Sequence, residues 1–182
     1  MVNIKNILLS SLLCVAINTE AKAVILPTPP EIASESYIVV DFETEKILLS
    51  KNADKTLSPA SVKKLMKENV VLKKIDKKIN KIDDLVKISK NAVLTAQSTN
   101  SARTFLEIGD EVSVDNLLKG LIIQSGNDSA IALAEYVSGR EESFSNLMNA
   151  YAVEIGMKRS TFKNASGLPA KDHYTTSKDL AI

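Results

Sequence analysis

Two short segments carry side chains whose types and spacing can do chemistry. Ser61-Val62-Lys63-Lys64 sets a hydroxyl and an amine three residues apart. On a helix that separation puts both side chains on one face. A serine hydroxyl is a weak nucleophile until a base takes its proton, and a lysine becomes that base when desolvation or neighbouring positive charge lowers its pKa. A serine at a helix N-terminus also gains from the positive end of the helix dipole. Alone, the pattern also fits an N-capping serine beside a surface lysine. Ser125-Gly126-Asn127 makes the chemical reading stronger. The Ser125 hydroxyl can pass a proton between Lys64 and a leaving amine. The Asn127 amide can donate to a substrate carbonyl and accept from a lysine. Gly126 is expected to let the backbone turn tightly. Either Asn127 or Asp128 could instead simply cap the next helix.

The elements that must position these residues follow from the hydrophobic pattern. Tyr37–Phe42 and Lys46–Ser50 are β-rich runs joined by Glu43-Thr44-Glu45, the signature of a hairpin. After Ser58-Pro59-Ala60 a helix is expected, with Val62, Leu65, Leu72, Ile75 and Ile79 on its buried face and lysines opposite. The lysine-rich stretch from Lys73 to Lys81 reads as a solvated face. Leu85–Ser89 suits a short strand, and residues 96–104 a polar loop. Val114, Leu117, Leu118, Leu121 and Ile122 repeat at helical spacing behind Ser113, a good N-cap. A second apolar helix runs from about Asp128 to Val137 and stops at Ser138-Gly139. A third carries Phe144, Leu147, Met148, Tyr151, Ala152 and Ile155 and ends at Gly156. Asn164–Pro169 is a turn, and Thr176-Ser-Lys-Asp179 resembles a capping box that opens a further helix. No internal repeat is found.

Composition narrows the functional classes. With 45% apolar and 25% charged residues, the 182-residue chain suits one globular domain or a piece of a larger one. Its formal charge of +1, the absence of tryptophan and the few aromatic residues argue against a nucleic-acid partner. Residues 1–23 read as a cleavable signal peptide: Lys5, the apolar run Ile7–Ile17, then Ala21 and Ala23 where a signal peptidase reads small residues. That run is about half of the ~20 residues needed to span a bilayer. Cys14 leaves with the signal, so the exported chain has no thiol or disulfide chemistry. It would be formally neutral, with 21 basic and 21 acidic residues. Residues 24–35, with Pro27, Pro29 and Pro30, read as an extended lead-in, and 36–182 as the folded part. His173, the single histidine, is expected in a loop with no catalytic role; no metal-ligand cluster or phosphate-binding glycine loop is present, so neither metal nor cofactor is expected.

Pro59–Met66, Ile122–Glu135 and Asn164–Pro169, in that order and spacing, resemble the low-molecular-weight serine D-alanyl-D-alanine carboxypeptidases of the penicillin-binding class. The resemblance covers about Glu35 to Ile182. It implies an α/β (α+β) transpeptidase-like fold, an antiparallel sheet beside a helical subdomain with the active site at their interface. It also implies that Ser61 is the acyl-enzyme nucleophile, Lys64 the general base, Ser125 the proton relay, and Asn127 the residue holding the substrate amide and Lys64. The implied substrates are peptidoglycan stem peptides and the implied inhibitors β-lactams, in the periplasm or cell envelope, in wall synthesis and cell shape. A β-lactamase shares the Ser-x-x-Lys logic, but Gly126 stands where those enzymes usually carry an aspartate.

Two departures stand out. The family's third motif, Lys-Thr-Gly or Lys-Ser-Gly, occurs nowhere in the chain. The expectation is a C-terminally truncated chain holding the helical subdomain and the first strands of the sheet, without the family's membrane anchor. Its alternative role would be a remnant that binds muropeptide or penicillin without turnover. Lys63 replaces what is more often a small polar residue and is expected to face solvent.

Overall fold

The computed structural model describes Thr28, residues 30–165 and residues 168–182, with the backbone alone at 61 and 63. The signal-peptide segment and the Ser166-Gly167 part of the predicted turn lie outside the described residues. The described part of the lead-in, up to Ser34, is exposed and without regular structure.

The predicted hairpin forms. β1 (Tyr37–Val40) pairs antiparallel with β2 (Ile47–Lys51), with Tyr37 opposite Lys51 and a register shift between Val39 and Val40. The Asp41 carboxylate closes the turn by accepting from the Thr44 N–H at 2.9 Å. Val39, Ile47 and Leu48 stay exposed and Phe42 is 92% exposed, so among the described residues this two-stranded sheet is only partly covered. β3 (Leu85–Lys87) is the strand expected near Leu85. It pairs with β4 (Glu111–Ser113), a three-residue strand too short to show a period in the sequence.

Helices supply the core. A 3-10 turn at Ala60–Lys63 leads into α1 (Lys64–Asp76), followed by α2 (Lys90–Ser98), α3 (Val114–Ile123), α4 (Asn127–Ser138), α5 (Glu141–Ile155) and the short α6 (Ser177–Leu180). The Ser113 hydroxyl caps α3 by accepting from the Asn116 N–H. Gly139 and Gly156 end α4 and α5 at φ 79° and 92°, where a side chain would be strained. α2 begins in residues 90–95, for which no element is predicted, and takes the first three residues of the expected 96–104 loop: Ser89 caps it, and Ala92, Val93 and Ala96 give it a narrow buried stripe.

α4 lies at the centre, packed against α1, α2, α3 and α5. Its first eight residues are all buried. Ala130, Ala132 and Ala134 keep it slim enough for four neighbours to approach. Leu117 and Leu121 of α3, Phe144 and Met148 of α5, and Phe162 complete the core around Ile131 and Leu133.

α1 does not present the expected face. Val62, Leu65, Leu72 and Ile79 are exposed, whereas Met66, Val70 and Val71 are buried together with Lys64 and Lys67. Only Ile75 of the predicted stripe packs on the core. The two lysines inside the buried stripe shift the apparent apolar face around the helix. The lysine-rich stretch is solvated at Lys77, Lys78 and Lys81 as expected, while Lys73 pairs with Glu154 and lies over the Tyr151 ring at 4.3 Å.

A buried polar cluster ties the C-terminal segment to the hairpin side. Thr176 caps α6 through the Asp179 N–H at 3.0 Å. The buried Asp179 carboxylate accepts from the Arg159 N–H and the Ser160 hydroxyl, each at 2.7 Å. Lys178 N–H donates to the Ala53 carbonyl, and Leu57 bridges Thr175. Asp179→Ala would remove the acceptor of the part-buried Arg159 N–H and leave the Ser160 hydroxyl only Thr175, at a cost of about 2 kcal/mol. The expected result is a lower urea midpoint at unchanged slope; an unaltered midpoint would show that the cluster contributes nothing.

Candidate active site

The backbone places Ser61 on the 3-10 turn, with Lys64 the first residue of α1. The turn opens at Ala60, whose φ of 42° is in the left-handed region, and is closed by the Val62 N–H on the Pro59 carbonyl at 3.1 Å. The nucleophile candidate therefore precedes a helix N-terminus, where the dipole favours developing negative charge.

Lys64 is only 7% exposed. Its ammonium donates to the Ser125 carbonyl and, at 2.6 Å, to the Ser125 hydroxyl. Burial lowers its pKa from 10.5 to about 8, against a smaller upward pull from the Asp128 carboxylate. The two segments found by spacing, 61 residues apart in the chain, meet through this contact.

Ser125 itself holds the unusual backbone. Its φ is 55°, the left-handed region, whereas Gly126 is at an ordinary −62°. The glycine is needed for space instead. A Cβ at Gly126 would lie 2.1 Å from the Thr104 hydroxyl. Strained non-glycine backbone of this kind costs of order 1–3 kcal/mol and persists only where the surroundings enforce it.

Asn127 opens α4 beside Ser125 and is 5% exposed. Its side-chain oxygen is buried without a hydrogen-bond partner among the described residues, so the expected bond from Lys64 to Asn127 is not formed. Neither Asn127 nor Asp128 caps α4: the N-cap is Gly126, with no side-chain bond. A cleft of about 330 Å³ runs past Lys64 and Ser125, walled by Val62, Leu65, Leu121 and Ile122, with Glu68 at its edge. Its apolar walls include Val62 of the 3-10 turn and Leu65 of α1, both assigned to the core by the sequence pattern. His173 lies in a non-regular segment, as expected, but is not a solvent-exposed loop residue. It is buried, its Nδ1 accepts from the Lys163 N–H at 3.4 Å, and its ring meets Phe162 edge-on.

Residues 23–182 match the family model described as D-alanyl-D-alanine carboxypeptidase. Over 155 residues the chain is 41% identical to D-alanyl-D-alanine carboxypeptidase DacC of Escherichia coli, covering 84% of this chain and 39% of that protein. It is 39% identical to DacF of Bacillus subtilis, covering 82% and 37%. Among solved structures, the D-alanyl-D-alanine carboxypeptidase DacD of Francisella tularensis superposes with a TM-score of 0.81 at 38% identity, over 87% of this chain and 38% of that one. Penicillin binding protein 6B of Escherichia coli gives 0.80 at 38% identity, over 85% and 50%. The chain thus spans well under half the length of the two curated relatives and half or less of these two solved chains. The order of elements is that of the penicillin-binding fold, helices beside short antiparallel sheets, as far as 182 residues carry it. With the family model spanning all but its first 22 residues, this chain belongs to the D-alanyl-D-alanine carboxypeptidase family.

Proposed function

We propose that the chain carries out serine acyl transfer on D-alanyl-D-alanine termini of peptidoglycan stem peptides, as a carboxypeptidase. One observation carries the reading: the buried Lys64 amine lies 2.6 Å from the Ser125 hydroxyl, one helical turn after Ser61 in the chain. Neutral Lys64 takes the Ser61 hydroxyl proton as the oxygen attacks the penultimate D-alanine carbonyl. Ser125 relays that proton to the departing D-alanine amine when the peptide C–N bond breaks. Water then enters by the same general-base route and frees Ser61 with the shortened peptide as acid. Asn127 would hold the substrate amide, a role supported by its buried, unpartnered oxygen. The same ester would form with a β-lactam, whose ring opens without a leaving group to diffuse away.

A specific observation favours a second reading, a chain that binds muropeptide or penicillin without turnover. Neither Lys-Thr-Gly nor Lys-Ser-Gly occurs in these 182 residues, and the resemblance assigns that strand the second oxyanion donor. A donor of this kind is worth ~3–4 kcal/mol of barrier. Residues 1–23 are proposed to direct export to the periplasm or envelope and 24–35 to lead into the folded part at 36–182.

Three outcomes are expected. A fluorescent penicillin labels Ser61, seen by peptide mass spectrometry, and the Ser61→Ala chain stays unlabelled. A label that forms and clears, with D-alanine release from a pentapeptide, marks the enzyme; no label at all would favour the binding remnant. The acylation rate should rise about tenfold per pH unit up to about 8, where Lys64 loses its proton, and level off above. A profile that goes on rising towards 10.5 would remove Lys64 as the base. Intact mass of the exported protein should begin at Val24; a mass retaining residues 1–23 would refute the signal.

A further inference from the structure

The scheme above leaves unused a buried carboxylate directly behind the Ser125–Asn127 turn. Asp128, the second residue of α4, is 2% exposed. A carboxylate taken out of water is costly unless its oxygens are satisfied. Here they are satisfied by another part of the chain. Asp128 accepts from the Thr104 N–H at 2.8 Å through Oδ1 and 3.0 Å through Oδ2, and from the Leu106 N–H at 3.2 Å through Oδ2. Oδ1 also accepts from the Ser129 N–H at 2.9 Å.

Two neighbouring bonds fasten the same segment. The Asn127 N–H donates to the Ala102 carbonyl at 2.8 Å, and the Thr104 and Ser129 hydroxyls lie 2.7 Å apart. Residues 102–106 are thereby laid along the start of α4, close enough that Gly126 has no room for a side chain. Phe105, between the two donors, adopts φ 62° and is 75% exposed, with the Arg103 guanidinium 5.1 Å above its ring.

Resting on the acyl-transfer reading, we propose that Asp128 is a positioning residue that clamps the 102–106 segment behind the Ser125–Asn127 turn and so holds Ser125 against Lys64. Without the clamp, the segment keeps only the Asn127–Ala102 and Thr104–Ser129 bonds, and the left-handed Ser125 is held less firmly. The carboxylate also acts on Lys64 through space, favouring its ammonium form against the effect of burial. Of the other charged groups, Lys67 and Glu68 lie on the helix of Lys64; α3 contributes only the apolar Leu121 and Ile122 to the cleft wall, and Arg103, on the clamped segment, is stacked on Phe105.

The test uses the full chain, labelled for NMR, with amide exchange and the Lys64 side-chain titration read on one sample. In the wild type, Thr104 and Leu106 amides should be protected at least about tenfold more than the Phe105 amide. In Asp128→Asn that protection should fall by about tenfold or more, and the Lys64 midpoint should move below its wild-type value of about 8. Loss of protection with an unmoved midpoint would mean a merely structural role and overturn the proposal. So would a shifted midpoint with protection intact. Should the Asn chain fail to fold, the wild-type exchange decides: unprotected Thr104 and Leu106 amides sink the clamp. A chain that behaves as expected but never acylates at Ser61 refutes the acyl-transfer reading and leaves the clamp standing; an acylating chain with unprotected amides does the reverse.

Discussion

The Lys64 amine is held out of water at the first turn of α1, with its donors on the Ser125 carbonyl and hydroxyl. That placement costs stability and supplies reactivity through the same pKa. At the ordinary value of 10.5, about 0.03% of lysines would be neutral at pH 7; at about 8 the fraction is about 9%. The stability consequence has a definite sign. Between about pH 8 and 10.5 the unfolded chain holds a proton on this amine that the folded chain has released, so this group's contribution to stability grows as pH rises through that window. Below it, the buried ammonium weighs against folding. The rest of the domain must offset that penalty.

The offset comes from α4. Eight consecutive buried residues, three of them alanine, give four helices a slender axis to pack on, and the same helix begins with Asn127 and Asp128. Core and site are therefore one element. The apolar residues that anchor the helix sit directly after Asn127 and Asp128, so motion of the Ser125 turn is limited by packing at Ala130 and Ile131. The hairpin is held differently: hydrogen bonds through Ala53, Leu57 and Arg159 join it to the Asp179 cluster, while much of its apolar surface stays open.

Sequence patterns were most legible where periodicity and capping agreed. α3 and α5 have apolar stripes at helical spacing and strong stop or start signals at Ser113 and Gly156, and they form where expected. α2 was hidden because its buried stripe is mostly alanine, set among threonine, glutamine and asparagine, and only its last three residues overlap the expected loop. β4 was hidden because three residues carry no detectable alternation. At the site, Lys64, Ser125 and Asn127 were visible from residue type and spacing, and the structure brings the first two into contact. The Asp128 clamp left no trace: its partners are backbone N–H groups of Thr104 and Leu106, which any residue but proline would offer.

The misread face of α1 has a cause of its own. A helix that serves only the core would bury Val62 and Leu65 and send its lysines outward. Here α1 carries its amine inward, to Ser125, so Leu65, with Val62 on the preceding turn, lies on the cleft wall and Lys67 is buried as well. Apolar residues exposed on that wall need an occupant more than a solvent, and a cleft lined by Val62, Leu65 and Ile122 offers an apolar surface beside the reactive amine. The local rule of apolar-in, charged-out fails on α1 at Lys64, whose burial lowers its pKa to about 8. The one helix whose pattern and burial disagree, while its neighbours agree, is the helix on which the proposed reaction places its base.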